Sequence, residues 1–143
     1  MSVDRILAMK GGDVVTIPPH RTLDEAVKLL AEKHIGALVV AGADRKVLGI
    51  ITERDIVRVL AKEGAVAFSE AVSAHMTANV RTCTGSFLVN DVMELMTVGK
   101  FRHVPVVENG VLVGIISIGD VVKHRLAEVE HEHQILREYI ATA

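Results

Sequence analysis

The sequence has few aromatic residues and little net charge. Of its 143 residues only 3% are aromatic, with no Trp, one Tyr and three Phe. A protein that binds single-stranded nucleic acid by stacking needs an aromatic platform, so we exclude that class. The formal net charge of -2 also provides no broad basic surface for duplex DNA or anionic lipid. Nucleic acid is therefore not an expected partner.

The sequence also lacks a second cysteine and any long apolar run. Cys83 stands alone, so the chain can form neither an intramolecular disulfide nor a cysteine-based zinc site. The first ten residues carry Asp4 and Arg5 and contain no apolar segment of a secretory signal. The longest nearly uncharged stretches, residues 35–43 and 111–118, are about half as long as a membrane span. We therefore expect a cytoplasmic location and no membrane partner.

What the sequence does contain is an internal repeat rich in aliphatic residues. Hydrophobic residues make up 50% of the chain and charged residues 24%, which is enough for a folded core. Residues 49–57 (GIITERDIV) return 65 positions later as residues 114–122 (GIISIGDVV). Two more pairs of segments correspond at an offset of 66: residues 26–30 with 92–96, and 37–40 with 103–106. Each copy is too small to bury much surface alone, so the copies should pack together.

Both copies have the hydrophobic pattern of a β-α-β-β-α unit. In the first copy, Thr22 and Glu25 form the sequence of a capping box at the start of a helix. In the second copy, Asn109-Gly110 is typical of a two-residue hairpin. The predicted strands are residues 13–17, 37–41 and 47–52, then 79–82, 104–107 and 111–117. The second helix of each copy is predicted to begin at residue 54 or 55 and at 119 or 120. The predicted class is α+β, with small sheets covered by helices.

The last helix is predicted to extend beyond the repeat. Residues 120–140 contain neither Gly nor Pro. One stripe at spacings of three and four carries Val122, Leu126, Val129, His133, Leu136 and Ile140. A stripe of this kind needs a partner surface, and a second copy of the chain is the simplest one, so we expect a homodimer. We divide the chain into a first repeat with its N-terminal segment (1–70), a second repeat (71–125) and a helical extension (126–143).

The repeated motif Gly-x-x-Thr/Ser-x-x-Asp carries a family resemblance. It stands at Gly49, Thr52 and Asp55, and again at Gly114, Ser117 and Asp120. With this motif the chain resembles a tandem pair of cystathionine-β-synthase (CBS) domains over about residues 13–125. The resemblance implies a disc of two repeats related by a pseudo-twofold axis, known as a Bateman module. It also implies two clefts that bind adenosyl ligands such as AMP, ADP, ATP, NAD(H) or S-adenosylmethionine.

The chemistry of the motif agrees with that implication. Thr52 and Ser117 precede helix N-termini, where free N–H groups and the helix dipole favour an anion. Asp55 and Asp120 are acceptors suited to the two vicinal hydroxyls of a ribose. The alternative is that these residues are ordinary helix caps. The recurrence of both pairs within the family pattern favours ribose binding by at least one aspartate.

The resemblance assigns further residues to each cleft. The Asp120 cleft is assigned Ile115, Ser117, Asp120, Arg102 and His103, with Val15, Ile35 and Gly36 lining its adenine slot. The Asp55 cleft is assigned Ile50, Thr52 and Asp55, with Val80 and Phe101 as its apolar wall. The cations expected nearest the phosphates are Arg54, Arg102 and His103. Since the first copy has Gly36-Ala37 where the second has Arg102-His103, we expect unequal sites, the stronger one at Asp120.

The sequence favours a regulatory function over catalysis. It contains no recognisable nucleophile with its base, no carboxylate dyad and no metal site, since His131 and His133 point to different faces of a helix. We therefore expect no enzyme activity, no catalytic cofactor and no bound metal. The leading hypothesis is an adenosine-nucleotide sensor that passes its occupancy to an unidentified effector protein. The alternative is an interaction or oligomerisation module that binds no ligand.

Overall fold

The protein is described here by a computed structural model covering residues 1–142. The helices are α1 (Val3–Lys10), α2 (Leu23–Lys33), α3 (Glu53–Glu63), α4 (Val89–Gly99) and α5 (Ile118–Thr142). The strands are β1 (Thr16–Ile17), β2 (Ala37–Ala41), β3 (Val47–Thr52), β4 (His103–Glu108) and β5 (Val111–Ser117). Two 3₁₀ helices, Gly64–Ser69 and Val72–Ala74, follow α3.

The strands form two small sheets, one in each copy. In the first, β1 pairs parallel with β2, which pairs antiparallel with β3. In the second, β4 and β5 form an antiparallel hairpin, and Asn109 and Gly110 both have positive φ at its turn. Thr22 and Glu25 form the predicted capping box of α2. The α+β class is confirmed, and the predicted bounds of β2, β3 and β5 agree with the structure.

The strand predicted at residues 79–82 is wrong. The chain first pairs with the second sheet at Cys83, one residue after the predicted strand, where the Cys83 N–H donates to the Pro105 carbonyl at 3.0 Å. The Val107 N–H donates in turn to the Cys83 carbonyl at 2.9 Å. This is an isolated parallel bridge and not a strand.

Proline explains why this bridge does not extend into a strand. In the first copy, the Val39 N–H donates to the carbonyl of Val15 at 3.4 Å, next to the paired strand β1. Pro105 occupies the position of Val39 in the second copy and has no N–H to donate. The corresponding bond, to the carbonyl of Arg81, cannot form. Residues 79–82 are therefore free to follow another path.

Two aliphatic cores lie beneath the sheets and helices. The first core contains Ile17, Leu23, Ala26, Leu30, Leu38, Val40, Ile51, Ile56, Ala67 and Val72. The second contains Cys83, Val89, Val92, Met96, Val104, Val106, Ile116 and Val121. Val3 and Ile6 of α1 complete the second core and are fully buried there. The N-terminal helix thus packs with the second copy.

The segment between the copies makes the opposite contact, against the first copy. The Leu23 N–H at the start of α2 donates to the Glu70 carbonyl at 2.9 Å. Farther along, Ile50 of β3 and Thr77 exchange two backbone hydrogen bonds, of 3.0 and 2.9 Å. The segment that precedes the second copy is therefore held by the first.

The N-terminal segment repeats this arrangement in the second copy. The Val89 N–H at the start of α4 donates to the Met1 carbonyl at 2.9 Å. The Val3 N–H donates to the Phe87 carbonyl, also at 2.9 Å. Each copy is thus completed by the segment that leads into the other, so neither folds around its own residues alone.

The motif glycines are where these leading segments come close to the sheets. A Cβ at Gly49 would lie 2.5 Å from Met76 Sδ and 2.8 Å from the Thr77 carbonyl oxygen. A Cβ at Gly114 would lie 2.6 Å from Leu7 Cδ2 of α1. The backbone of Thr77 leaves no room for a side chain at Gly49, and a side chain at Gly114 would displace that of Leu7.

The last helix leaves most of its length outside the cores. Within Ile118–Thr142 only Val121 and His124 are buried. Leu126, Leu136 and Ile140 of the predicted stripe are more than half exposed. Across residues 1–142, the helices lack the combination of length and hydropathy that crossing a membrane requires.

We expect Gly49→Ala to destabilise the fold by about 1–3 kcal/mol, the usual effect of forcing extra atoms into a packed site. The clash with the Thr77 carbonyl involves backbone that is itself bonded to β3, so it cannot easily move. Urea denaturation measures the change. Gly119→Ala is the matched control, because its Cβ would meet only Ser117 Oγ at 3.6 Å and alanine favours the helix. Equal midpoints for Gly49→Ala and the native chain would contradict this packing.

Candidate functional site

The motif side chains cap helix α3 through reciprocal hydrogen bonds. The Thr52 N–H and Oγ1 both donate to Asp55 Oδ2 at 3.0 Å. The Asp55 N–H donates back to Thr52 Oγ1 at 3.2 Å. The hydroxyl proton is thus directed at the carboxylate. The cap uses Asp55 Oδ2, and Oδ1 lies 3.8 Å from Arg58 Nη1.

Helix α5 has the same cap in the second copy. The Ser117 N–H and Oγ donate to Asp120 Oδ2 at 2.8 and 3.0 Å, and the Asp120 N–H donates to Ser117 Oγ at 3.2 Å. Capping is therefore a real role of both motif pairs. Capping does not use all the acceptor positions of either aspartate, because an ionised carboxylate offers about four of them on its two oxygens.

A cavity of about 320 Å³ lies beside Asp55. This volume falls at the lower end of the range usual for small-molecule sites, roughly 300–1,000 Å³. Its lining comes from the junction of β3 and α3, from the linker at residues 77–81 and from residues 99–103 between α4 and β4. Because both copies contribute, the cavity exists only when they are packed together.

The cavity concentrates positive charge in a chain whose net charge is negative. Its lining contains five cationic side chains and two carboxylates: Arg54, Arg58, Arg81, Lys100 and Arg102, with Glu53 and Asp55. A concave surface lined by charge of one sign attracts a ligand of the opposite sign. The cavity is therefore suited to an anionic ligand that also offers hydroxyl donors to Asp55.

The structure brings together the residues assigned from sequence to the Asp55 cleft. Ile50, Thr52, Asp55, Val80, Phe101 and the cation Arg54 all line the cavity. The sequence did not single out Glu53, Arg58, Arg81 and Lys100, which line it too. In the sequence, isolated charged residues of this kind look like ordinary surface residues, because only the fold shows that they lie together.

Three residues that the sequence assigned to the Asp120 cleft line the Asp55 cavity. Gly36, Arg102 and His103 were placed with Asp120, yet all three line the Asp55 cavity. Two of these residues accept hydrogen bonds from the first residues of helices. The Glu53 N–H at the start of α3 donates to the Gly36 carbonyl at 3.0 Å. The Ile118 N–H at the start of α5 donates to the Arg102 carbonyl at 2.8 Å. Arg102 thus anchors α5 through its carbonyl while it lines the cavity beside α3.

His103 lies between the two clefts. Burial lowers its pKa below the ordinary value, although attraction to the carboxylates of Glu53 and Asp120 acts in the opposite direction. A lowered pKa keeps the imidazole neutral near pH 7, so His103 serves as a hydrogen-bonding group and not as a further cation.

The Asp120 cleft contains a cation that the sequence analysis did not identify. Lys10 Nζ donates to Asp120 Oδ2 at 2.7 Å and to the Ile115 carbonyl at 2.9 Å. Burial raises the pKa of Asp120, but hydrogen bonds from Lys10 and Ser117 outweigh it and lower the pKa overall. No helix was predicted for residues 3–10, although Val3, Ile6 and Leu7 stand at helical spacing. That spacing did not indicate where Lys10, the last residue of α1, would lie.

The two residues assigned to an adenine slot at Asp120 belong to the first copy. Val15 and Ile35 are partly buried and pack against the first core. Neither is among the described residues that line the Asp55 cavity. Their assignment to a ligand stays a prediction.

Two other reactive groups lie outside these clefts. Burial and the nearby charge of Glu108 raise the pKa of the Cys83 thiol to about 11, so it stays protonated near neutral pH. Ligand atoms of Glu63, Glu70 and His75 lie within 4.8 Å of one another. A hydrogen bond of 3.0 Å between His75 Nε2 and Glu70 Oε1 accounts for the closest of these contacts.

Curated relatives align over most of this chain but over a smaller share of their own length. A 17.7 kDa protein of Acidianus ambivalens is 37% identical over 111 residues, which are 77% of this chain and 66% of that protein. A mitochondrial CBS domain-containing protein of Arabidopsis thaliana is 38% identical over 123 residues, which are 83% of this chain and 60% of that protein.

Two solved structures match this chain over nearly their whole length. A CBS-domain containing protein from Agrobacterium tumefaciens matches with 51% identity and a TM-score of 0.85, covering 87% of this chain and 99% of that one. The CBS domain pair of protein MJ0100, in complex with 5′-methylthioadenosine and S-adenosyl-L-methionine, matches with 27% identity and a TM-score of 0.80, covering 90% and 98%. The family model of the CBS domain matches residues 5–62 and 71–127. The chain therefore belongs to the CBS-domain family and carries two such domains in tandem.

Proposed function

We propose that this chain is a regulatory module that binds an adenosine nucleotide beside Asp55 and passes its occupancy to another protein. One observation carries the proposal: the Asp55 cavity joins a ribose acceptor to five cationic side chains. It is supported by the family membership and by the adenosyl ligands of the MJ0100 pair. The module acts without catalysis, and its cytoplasmic location stays a prediction from the sequence.

The ribose is assigned to the start of helix α3. Asp55 Oδ2 is shared by the two donors of Thr52, whereas Oδ1 faces Arg58 across 3.8 Å. Ribose hydroxyls that donate to this carboxylate form charge-assisted bonds without breaking the cap. The Asp55 side chain is only 15% exposed, so these bonds are partly shielded from competing water.

The cations favour a ligand that carries phosphate. Methylthioadenosine and S-adenosylmethionine, the ligands of the MJ0100 pair, contain no phosphate group. This chain instead surrounds Asp55 with guanidinium groups from Arg54, Arg58 and Arg102, which suit phosphate oxygens. We therefore assign AMP, ADP, ATP or NAD(H) to the cavity in preference to the ligands of that relative.

The adenine ring is assigned to the apolar part of the lining. Ile50 of β3, Val80 of the linker and Phe101 before β4 supply side chains from both copies. Apolar walls with a few polar groups are typical of sites for flat heteroaromatic ligands. A nucleotide placed in this way would contact both copies at once.

The alternative is a module for interaction alone, and the caps of α3 and α5 favour it. Thr52 with Asp55, and Ser117 with Asp120, are already joined by complete reciprocal bonds. Capping could therefore explain why these residue types recur. It does not explain the collection of cations around Asp55, which a simple cap does not need.

We expect AMP, ATP or NADH to raise the melting temperature and guanosine or cytidine nucleotides to do less. Ligand at one hundred times its Kd adds about 2.7 kcal/mol to the free energy of unfolding. A thermal-shift titration with inorganic phosphate as the control measures this. Equal stabilisation by all nucleotides and by phosphate would show binding of anions in general and would reject the nucleotide site.

We expect Asp55→Asn to weaken nucleotide binding roughly 10- to 100-fold, because it removes charge-assisted bonds worth about 1.5–3 kcal/mol. The asparagine Oδ1 can still accept the cap bonds from Thr52, so folding should change little. Asp120→Asn is the matched control and should have the smaller effect, which reverses the order expected from sequence. Calorimetric titration of both folded variants with AMP decides between sensor and scaffold. Unchanged affinity at Asp55→Asn would support the scaffold.

We also propose that the module is a homodimer. The exposed stripe of α5 includes Val122, Leu126, Leu136 and Ile140, which are 48–66% exposed in the single chain. Apolar surface of this extent on a helix that extends beyond the cores favours a second chain as its cover.

Light scattering should therefore give twice the 15.5 kDa mass of the chain at micromolar concentration. Truncation after Arg125 should raise the dissociation constant of the dimer, because it removes most of the stripe. A monomer at micromolar concentration would reject the homodimer. A truncated chain that dimerises as well as the full one would place the interface on other helices.

A further inference from the structure

The end of helix α1 reaches the groups that would bind a ribose in the second cleft. The ammonium of Lys10 lies 2.7 Å from Asp120 Oδ2 and 2.9 Å from the Ile115 carbonyl. The side chains of Lys10 and Asp120 are 30% and 21% exposed, so this ion pair is only partly open to solvent.

The packing of α1 holds Lys10 at this position. Val3 and Ile6 are fully buried in the second core, and Leu7 lies against Gly114. Just after Lys10, a Cβ at Gly12 would lie 2.9 Å from the Val113 carbonyl, so the backbone runs directly against β5. Packing before and after Lys10 thus positions its backbone beside β5.

The first cleft has a different residue at the corresponding place. The segment that contacts Gly49 includes Met76, and three residues later stands Asn79, which lines the Asp55 cavity. The segment that contacts Gly114 includes Leu7, and three residues later stands Lys10. The residue at this place is thus neutral in the Asp55 cavity, whereas at Asp120 it is a cation bonded to the carboxylate.

The acceptors of the two aspartates are used to different extents as a result. Asp55 Oδ2 receives two hydrogen bonds, both from Thr52. Asp120 Oδ2 receives two equivalent bonds from Ser117 and a third from Lys10. A ribose hydroxyl that donates to Asp120 Oδ2 would therefore compete with the Lys10 ammonium.

We propose that Lys10 is a tethered competitor that makes the Asp120 cleft the weaker of two nucleotide sites. Its ammonium must withdraw from Asp120 and Ile115 before a ribose binds there, whereas Arg58 lies 3.8 Å from Asp55 Oδ1, beyond hydrogen-bond distance. This inference rests on the proposed function and adds its regulation. The module then fills the Asp55 cavity first and the Asp120 cleft only at higher nucleotide concentration.

The competition is tested by calorimetric titration with AMP in chains that carry Asp55→Asn, so that the second cleft dominates the binding. Adding Lys10→Met keeps the apolar stem of the side chain and removes its charge. We expect AMP to bind the double variant roughly tenfold more tightly than Asp55→Asn alone, because one charge-assisted bond no longer competes. Lys10→Arg retains the cation and should leave the weak affinity unchanged.

Lys28→Met is the matched control for loss of a lysine charge. Lys28 forms an ion pair of 2.9 Å with Asp24 on helix α2, apart from both clefts. In the Asp55→Asn chain it should leave AMP affinity unchanged. Thermal melting of each variant checks that all of them are folded.

The outcomes separate this inference from the function on which it rests. Tighter AMP binding with Lys10→Met and not with Lys28→Met supports the competitor. Unchanged or weaker binding with Lys10→Met overturns it, and weaker binding makes Lys10 a ligand contact. Either result leaves the proposed function intact if the native chain binds AMP through Asp55. If AMP binds neither the native chain nor any variant, the sensor function and the competitor fail together.

Discussion

The structure depends on the exchange of leading segments between the two copies. Residues 70–77 precede the second copy but bond to α2 and β3 of the first, while residues 1–10 bury Val3 and Ile6 in the core of the second. A unit of this size buries too little surface by itself, and the exchange supplies what each lacks. It also requires close approach at Gly49 and Gly114, where the motif has no side chain.

The same exchange makes the two clefts different although their motifs are alike. The caps at Asp55 and Asp120 have nearly identical hydrogen bonds. What differs is the segment beside each cap: an irregular linker containing Asn79 at the first, and a helix ending in Lys10 at the second. Differences between the sites therefore arise outside the repeated motif, in the leading segments, whose corresponding residues differ in type.

The sequence predicted those parts of the fold that local patterns determine. The repeat, the capping box of Thr22 and the strands β2, β3 and β5 follow from periodicity and turn chemistry. The missing strand at residues 79–82 depends on Pro105, more than twenty residues away, whose missing N–H matters only once the pairing is known. The positions of Lys10, Arg81 and Arg102 likewise depend on packing between the copies, which one sequence without its fold does not specify.

The charges of the Asp55 cavity connect stability with ligand recognition. Arg54 and Arg58 come from α3 of the first copy, Arg81 from the linker, and Lys100 and Arg102 from the second copy, so packing the copies brings like charges together. Their mutual repulsion opposes that packing, although solvent and salt weaken it. A polyanion in the cavity removes this repulsion and attracts cations from both copies. If the proposed nucleotide binds there, it would strengthen the contact between the copies.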